Sequence, residues 1–326
     1  MDKKQISVIL PIHKKSSFIH KGIASLADQT YKNFQLIIVD SSIDGIGEIK
    51  DLNNLHQEIK IVRAKGAFPG EARNKGIENS DFGLISFIDL KTLPGSDWLE
   101  DASKHFEDQS LEVLLGNGRG IASNYNQRLI KALTYGNKSF KCLPGTIITR
   151  EALKKSGFFV KAIRAGEDIE WISRLNTLSL NIKIFEKSHI SYYGFPETFA
   201  EAINKWYLYS IENSKINILT SQKVMYSYVC LLGFLYFIYS WNFVFTFGQW
   251  DRSNAFIPNL NSIVWNSLFL IYFLARSLII PFLKKEYLLF LFPFNWLLVG
   301  AYGFLLDLIK IPGRLSGLIR ILRSKN

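Results

Sequence analysis

Residues 84–98 read LISFIDLKTLPGSDW. The run 84–88 is a short buried strand, it stops at Asp89, and Lys91 follows two positions on. The same pattern repeats upstream. Residues 5–12 (QISVILPI) are a β-branched apolar run closed by Pro11 and Ile12, residues 34–40 (FQLIIVD) end at Asp40 before the turn-forming SSIDG, and 59–63 read as a third strand. Between them, 17–29 has Phe18, Ile23, Leu26 and Ala27 at helical spacing, and 71–79 is helical. Strands alternating with helices predict an α/β domain with a parallel, doubly wound sheet and a ligand crevice at the carboxyl ends of its strands. Asp40 and Asp89 both fall at such ends, which suits a nucleotide site.

Further along, 111–115 and 146–149 read as strands, 169–180 as a helix, and 181–185 closes the domain. The helix expected over 199–216 carries Trp206, Tyr207 and Tyr209 among charged residues. That mixture suits a membrane interface, and it equally suits an ordinary helix packed on the domain. GNGRG at 116–120 and DGIG at 44–47 resemble phosphate loops only in glycine count, so both are expected to be turns.

Composition divides the 326 residues in two. Up to about residue 220 the chain mixes charged and apolar residues as a soluble domain does, whereas 224–250, 253–275 and 287–306 contain no charged residue. Each of these runs is long enough to cross a bilayer core. The expected organisation is a catalytic-type domain over 1–220 and a membrane domain over 221–326. Its helices are expected at 224–247, 262–283 and 287–309, followed by a basic amphipathic tail at 311–326. Of the net charge of +11, +7 belongs to 221–326, where it suits anionic headgroups; nucleic-acid binding is not expected. Two cysteines, Cys142 and Cys230, give no disulfide framework or metal pattern, and the apolar run near the start is too short for a secretory signal. Three full crossings would put the tail outside, while its basic amphipathic pattern prefers the inner leaflet; Pro293 and Asn295 could break the last segment instead.

Five blocks in order, ISVILPIHK, LIIVDSSIDG, GEARNKGIENSDFGLISFIDLKTLPGSDWLE, LPGTIITREALKKSGFF and AGEDIEWISRL, resemble family 2 glycosyltransferases of the GT-A fold over roughly residues 5–215. The tail, with FNWLLVGAYGFLLDLIK, is similar to that of bacterial exopolysaccharide glycosyltransferases of the succinoglycan-biosynthesis type. The resemblance implies an inverting transfer from a nucleotide sugar to a hydroxyl of a lipid-linked saccharide, at the cytosolic face of a bacterial inner membrane.

By this resemblance Asp168 is the catalytic base. Glu167 is the second catalytic carboxylate and, with Trp171 and Trp206, shapes the acceptor site, and Pro11, Ile12, Asp40 and Arg73 hold the nucleotide. Two carboxylates opening a helix are also favoured by its dipole, and an aspartate after a strand can simply cap a turn. The family usually carries a DxD motif at 89–91, whose acids bind Mg²⁺ or Mn²⁺ across the donor diphosphate. Here the second acid is Lys91, and Tyr193 stands where relatives often have His. Asp89 alone would hold such an ion more weakly, and Lys91 could supply positive charge to the diphosphate itself. Two alternatives stay open: transfer to polyprenyl phosphate, and a catalytically silent protein that binds nucleotide sugars.

Overall fold

The computed structural model describes residues 5–47, 57–216 and 262–323, with isolated positions between 49 and 52 and between 218 and 234. Nine strands among the described residues form one sheet: β1 (Ile6–Ile12), β2 (Phe34–Asp40), β3 (Ile59–Arg63), β4 (Leu84–Phe87), β5 (Thr92–Pro94), β6 (Val113–Gly120), β7 (Phe140–Thr149), β8 (Ile182–Ile184) and β9 (Ile190–Tyr192). Their order is β3-β2-β1-β4-β7-β6-β9-β5, with β8 beside β6. The first four are parallel, in the register Ile6 to Phe34 and Ile6 to Leu84. Beyond β4 the pairs β4–β7, β6–β7 and β5–β9 are antiparallel, so the whole is mixed.

Unbroken apolar runs become strands covered on both faces. Val8, Leu10 and Ile12 pack under α1 (Phe18–Ala27) with Ile19, Ile23 and Leu26. Ile9, Ile37 and Phe87 pack on the other face with Ala72 and Ile77 of α2 (Pro69–Glu78). Gly76 lets α2 sit this close, because a Cβ there would lie 2.4 Å from Ile9 Cγ2. The GNGRG stretch is not the turn its glycines suggest: it is the second half of β6, where the register against β7 slips between Leu114 and Gly116. A Cβ on Gly116 would lie 2.2 Å from the Pro144 carbonyl oxygen, so the close strand approach, and not a turn, requires glycine there.

Helices α3 (Trp98–His105), α4 (Tyr125–Thr134), α5 (Arg150–Ser156), α6 (Glu167–Leu175) and α7 (Phe199–Ser214) complete this part. Helix α7 starts at Thr198, whose hydroxyl accepts from the Glu201 N–H, and buries Ala202, Ile211 and Glu212. It is therefore a helix packed on the domain.

Of the expected membrane helices, the one at 224–247 lies outside the described residues apart from a few positions, as does Cys230. The segment expected at 262–283 is helical throughout: α8 (Ser262–Leu274), a π-turn at Ala275–Ile279 and α9 (Ile280–Leu283). The segment expected at 287–309 is not one helix. A single turn, α10 (Leu288–Leu291), ends before Phe292 and Pro293, and α11 then runs from Asn295 to Arg323, absorbing the tail that was expected to be separate. Pro312 removes one backbone donor on an exposed side without ending α11.

Helix α11 is long and apolar enough, by length and composition, to cross a membrane. It nevertheless lies along the α/β domain. Val299 and Leu306 are buried with Leu129, Ile130 and Leu133 of α4, and the Tyr302 hydroxyl donates to Asn126 Oδ1 at 2.6 Å. Gly313 and Gly317 sit directly on α7. Its other face exposes Leu297, Leu298, Leu305, Leu308, Ile319 and Leu322. Asp307 ties it to the preceding segment, accepting from the Tyr272 hydroxyl at 2.8 Å and pairing with Arg276 and Lys310.

Candidate active site

The carboxyl ends of β1, β2 and β4 open into a cleft of about 1240 Å³ that continues between α6, α7 and α11. Asp89 leaves β4 in a tight turn: its N–H donates to Thr92 Oγ1 at 2.9 Å, and that hydroxyl donates back to the Asp89 carbonyl at 2.6 Å. The turn carries Lys91 into the cleft, with its ammonium 5.7 Å from the centre of the Phe18 ring. Phe18 in turn packs against Tyr193.

Arg73, in the second turn of α2, is buried and joins two elements. Its Nη2 donates to Asp89 Oδ1 at 2.6 Å and its Nη1 to Glu167 Oε1 at 2.7 Å. Burial opposes its charge, but Asp89, Glu167 and Asp168 outweigh burial and make the guanidinium more basic than usual. Glu167, 4% exposed, is therefore occupied in holding Arg73.

Asp168 is the next residue of α6 and faces the cleft with Asp89. Helix α6 opens after Gly166, whose φ of 91° is left-handed, and a Cβ there would lie 2.6 Å from Asn213 Oδ1. That turn puts both acids in the first turn of the helix, where its dipole favours them. Burial first, and then the neighbouring Glu167, push the Asp168 carboxyl up to about 6, against the pull of Arg73. A carboxylate with a proton affinity this close to neutrality can accept a proton from a nucleophile.

Several expected contacts fall elsewhere. Pro11 and Trp206 line the cleft. Ile12 has its side chain in the core, and its carbonyl accepts from the Ser41 N–H at 2.8 Å. The Asp40 carboxylate turns into its own loop: Oδ1 accepts from the Ser42 N–H and hydroxyl at 3.0 and 2.6 Å, and Oδ2 accepts from the Ile46 N–H and pairs with Arg63 at 2.7 Å. This is the turn-capping arrangement, and it leaves Ser41 and Ile43 to line the cleft. Trp171, expected at the acceptor site, is fully buried. Its ring packs on Phe159 and edge-on to Phe87, and its N–H donates to the Gly157 carbonyl. Aromatic core packing, not a ligand, accounts for it.

Sequence reasoning missed Lys205, Tyr209 and Asn213, which line the cleft from one face of α7. Their spacing of four residues was the available signal. The Lys205 ammonium donates to the Gly194 carbonyl at 2.8 Å and sits 5.5 Å from the Tyr209 ring; burial, then Lys91, lower it to about 8.

These residues do not fit a tightly held divalent ion. Asp89 gives one of its oxygens to Arg73, its neighbours Lys91 and Lys205 are cations, and no group of three or more metal-ligating side chains occurs among the described residues.

Residues 7–157 match the family model described as Glycosyl transferase family 2, and the α/β fold is of the GT-A type. An uncharacterized glycosyltransferase of Rickettsia conorii is 27% identical over 213 residues, which are 62% of this chain and 35% of that protein. Another, from Haemophilus influenzae, is 30% identical over 143 residues, 42% of this chain and 56% of that one. Over the first two curated relatives the matched stretch thus spans about a third of their length. A mannosyltransferase from Pyrobaculum calidifontis, solved with GDP-mannose and Mn²⁺, shares the fold at a TM-score of 0.51 and 14% identity, over 94% of this chain and 86% of that one.

Proposed function

We propose that the protein is an inverting glycosyltransferase that moves a sugar from a nucleotide sugar to a hydroxyl of a lipid-linked saccharide, at the cytosolic membrane face and within cell-surface polysaccharide assembly. The observation that carries this reading is Asp168, a cleft carboxylate raised to about 6, beside the Asp89–Arg73 pair. Asp168 takes the proton of the acceptor hydroxyl, whose oxygen attacks the anomeric carbon. The bond from that carbon to the diphosphate breaks, and its electron pair leaves with the nucleoside diphosphate. Lys91 meets the charge that develops there. Ser41, Ile43 and Pro11 contact the nucleotide, and Asp40 keeps their loop in shape. No step is routed through a metal ion.

The exposed apolar face of α11 and the +7 charge of residues 221–326 support contact with an anionic membrane. Retention of a base favours a sugar hydroxyl over polyprenyl phosphate, which is already anionic. The test is incubation of membranes containing the protein with a panel of labelled nucleotide sugars and extracted lipid. Label should pass to the lipid fraction from one donor; no transfer from any donor, with nucleoside diphosphates still bound, would leave a silent binding protein.

A further inference from the structure

The cleft does not end at the acids. Its lining also includes Asn213 and Ser214 of α7, Lys223, and Lys310, Ile311, Arg314, Leu315 and Leu318 of α11. We infer that this part of the cleft is a subsite for the phosphate and first isoprenoid units of a polyprenyl-linked acceptor, with Arg314 and Lys223 taking the phosphate and Ile311, Leu315 and Leu318 the hydrocarbon. The inference rests on the transfer reading above and adds the binding chemistry of the acceptor.

Four observations carry it. Ile311, Leu315 and Leu318 are spaced by four and three residues and so share one stripe of α11. Leu315 and Leu318 are 56% and 43% exposed although they line the cleft, so they form an apolar wall that no described residue covers. Arg314 lies in the same stripe, and its hydrogen bonds go to neutral oxygens, the Lys223 carbonyl and, at 2.9 Å, Ser227 Oγ. Lys223 likewise donates to the Ile216 carbonyl at 2.6 Å. Two positive charges held by neutral partners suit an anion, whereas the adjacent Lys310 is matched by Asp307 at 2.7 Å. Finally, Asn213 lines the cleft with its Oδ1 beside Gly166, buried and without a hydrogen-bond partner among the described residues, and an amide oxygen of this kind is suited to accept from a saccharide hydroxyl.

The cleft lining offers a base, an amide, cations and an apolar ridge. The proposed ligand has a matching set of groups: attacking hydroxyl, sugar ring, phosphate and isoprenoid. Rigid packing keeps amide and ridge in place: Cβ atoms on Gly313 and Gly317 would each lie 2.7 Å from a backbone oxygen of α7, of Tyr207 and Ile211, so the ridge cannot slide relative to the helix that carries Asn213. The ridge continues at helical spacing into Ile319 and Leu322, which lie outside the cleft lining and would meet bilayer lipid.

The test uses the full chain in phosphatidylcholine nanodiscs and compares binding of farnesyl phosphate, farnesol and inorganic phosphate. Farnesyl phosphate should bind at least about tenfold more tightly than farnesol, as one charge-assisted contact allows. Arg314→Gln with Lys223→Gln should shrink that preference to within about twofold, while Arg314→Lys keeps most of it. Leu318→Ser should weaken both farnesyl compounds alike, by about fivefold. Thermal unfolding and nucleoside diphosphate binding serve as fold controls, and if the double variant unfolds early the comparison of Arg314→Lys with Leu318→Ser decides. Equal affinity for farnesol and farnesyl phosphate, a preference unchanged by the charge variants, or equal competition by phosphatidylglycerol nanodiscs would overturn the subsite. Intact farnesyl phosphate preference in a protein that binds no nucleoside diphosphate would overturn the donor reading and leave the subsite standing.

Discussion

Asp168 lines the cleft and Asp40 sits behind its wall, next to Ser41; they are the same side chain, and their surroundings give them different tasks. Burial alone would raise the Asp40 carboxyl, but hydrogen bonds from Ser42 and Ile46 and the charge of Arg63 hold it below its ordinary value. It stays ionised and bound to its own loop. Asp168 has one hydrogen bond, from the Ile169 N–H at 2.8 Å, and acidic neighbours, and it is raised to about 6. Sequence position made both look like ligand contacts; what separates them is how many donors the fold aims at each.

The strongest way to break the comparison is Asp168→Asn, which keeps the shape and removes the base. Transfer should fall by about 10²–10⁴-fold, as loss of a general base does, with nucleoside diphosphate binding retained. The fold should not suffer. A carboxyl whose folded pKa lies above its ordinary 3.8 costs stability once it ionises, so stability linked to Asp168 falls as pH rises from about 3.8 to about 6 and stays lower above that. The asparagine variant should thus gain stability relative to the parent above pH 6 and lose that gain below about 3.8. In the parent, kcat/KM should drop as pH falls through about 6 because the base becomes protonated; a flat profile from pH 5 to 7 would contradict the assignment.

Arg73→Met tests what keeps the raised site ionisable at all. It strands Asp89 and Glu167 without their shared cation, and breaking a buried pair from one side costs about 3–5 kcal/mol. Chemical denaturation should show this loss, and the pH limb of any residual activity should move upward, since Arg73 pulls the Asp168 pKa down. A stable variant with an unmoved limb would mean that the guanidinium does not govern the base.

How much of this could be read beforehand follows the same division. The strands 5–12 and 34–40 were plain because each is apolar on both faces; Asp89 was found because it ends a strand, and Asp168 because the AGEDIEWISRL block resembles the family's. The antiparallel half of the sheet was not foreseeable, since GNGRG looks like a turn until Pro144 packs on it. Trp171 beside two acids resembled a binding residue, yet Phe87 and Phe159 enclose it. Lys205 was hidden in a helix whose aromatic residues suggested a membrane surface or ordinary packing, and α11 was hidden because the apolar run and the basic amphipathic stretch after it read as two segments.

Lys91 and Lys205 sharpen the comparison from the leaving-group side. If these ammonium groups supply the charge that a second acid and its ion supply elsewhere, EDTA should lower turnover by less than about tenfold, while Lys91→Ala should lower it by about 10²-fold, the scale of one lost electrostatic contact in a transition state. Complete loss in EDTA, restored in proportion to added Mn²⁺, would show that Asp89 holds an essential ion after all.

The smallest effect belongs to Asp40→Asn. The amide oxygen still accepts one set of loop hydrogen bonds, and Arg63, whose side chain is 41% exposed, loses a pair that solvent already screens. Stability should fall by no more than about 1 kcal/mol, and KM for the donor should rise a few-fold with kcat nearly unchanged, because the loop bearing Ser41 and Ile43 loosens. A loss of kcat comparable to that of Asp168→Asn would show that Asp40 acts on the reacting atoms directly, and the contrast between the two aspartates would no longer hold.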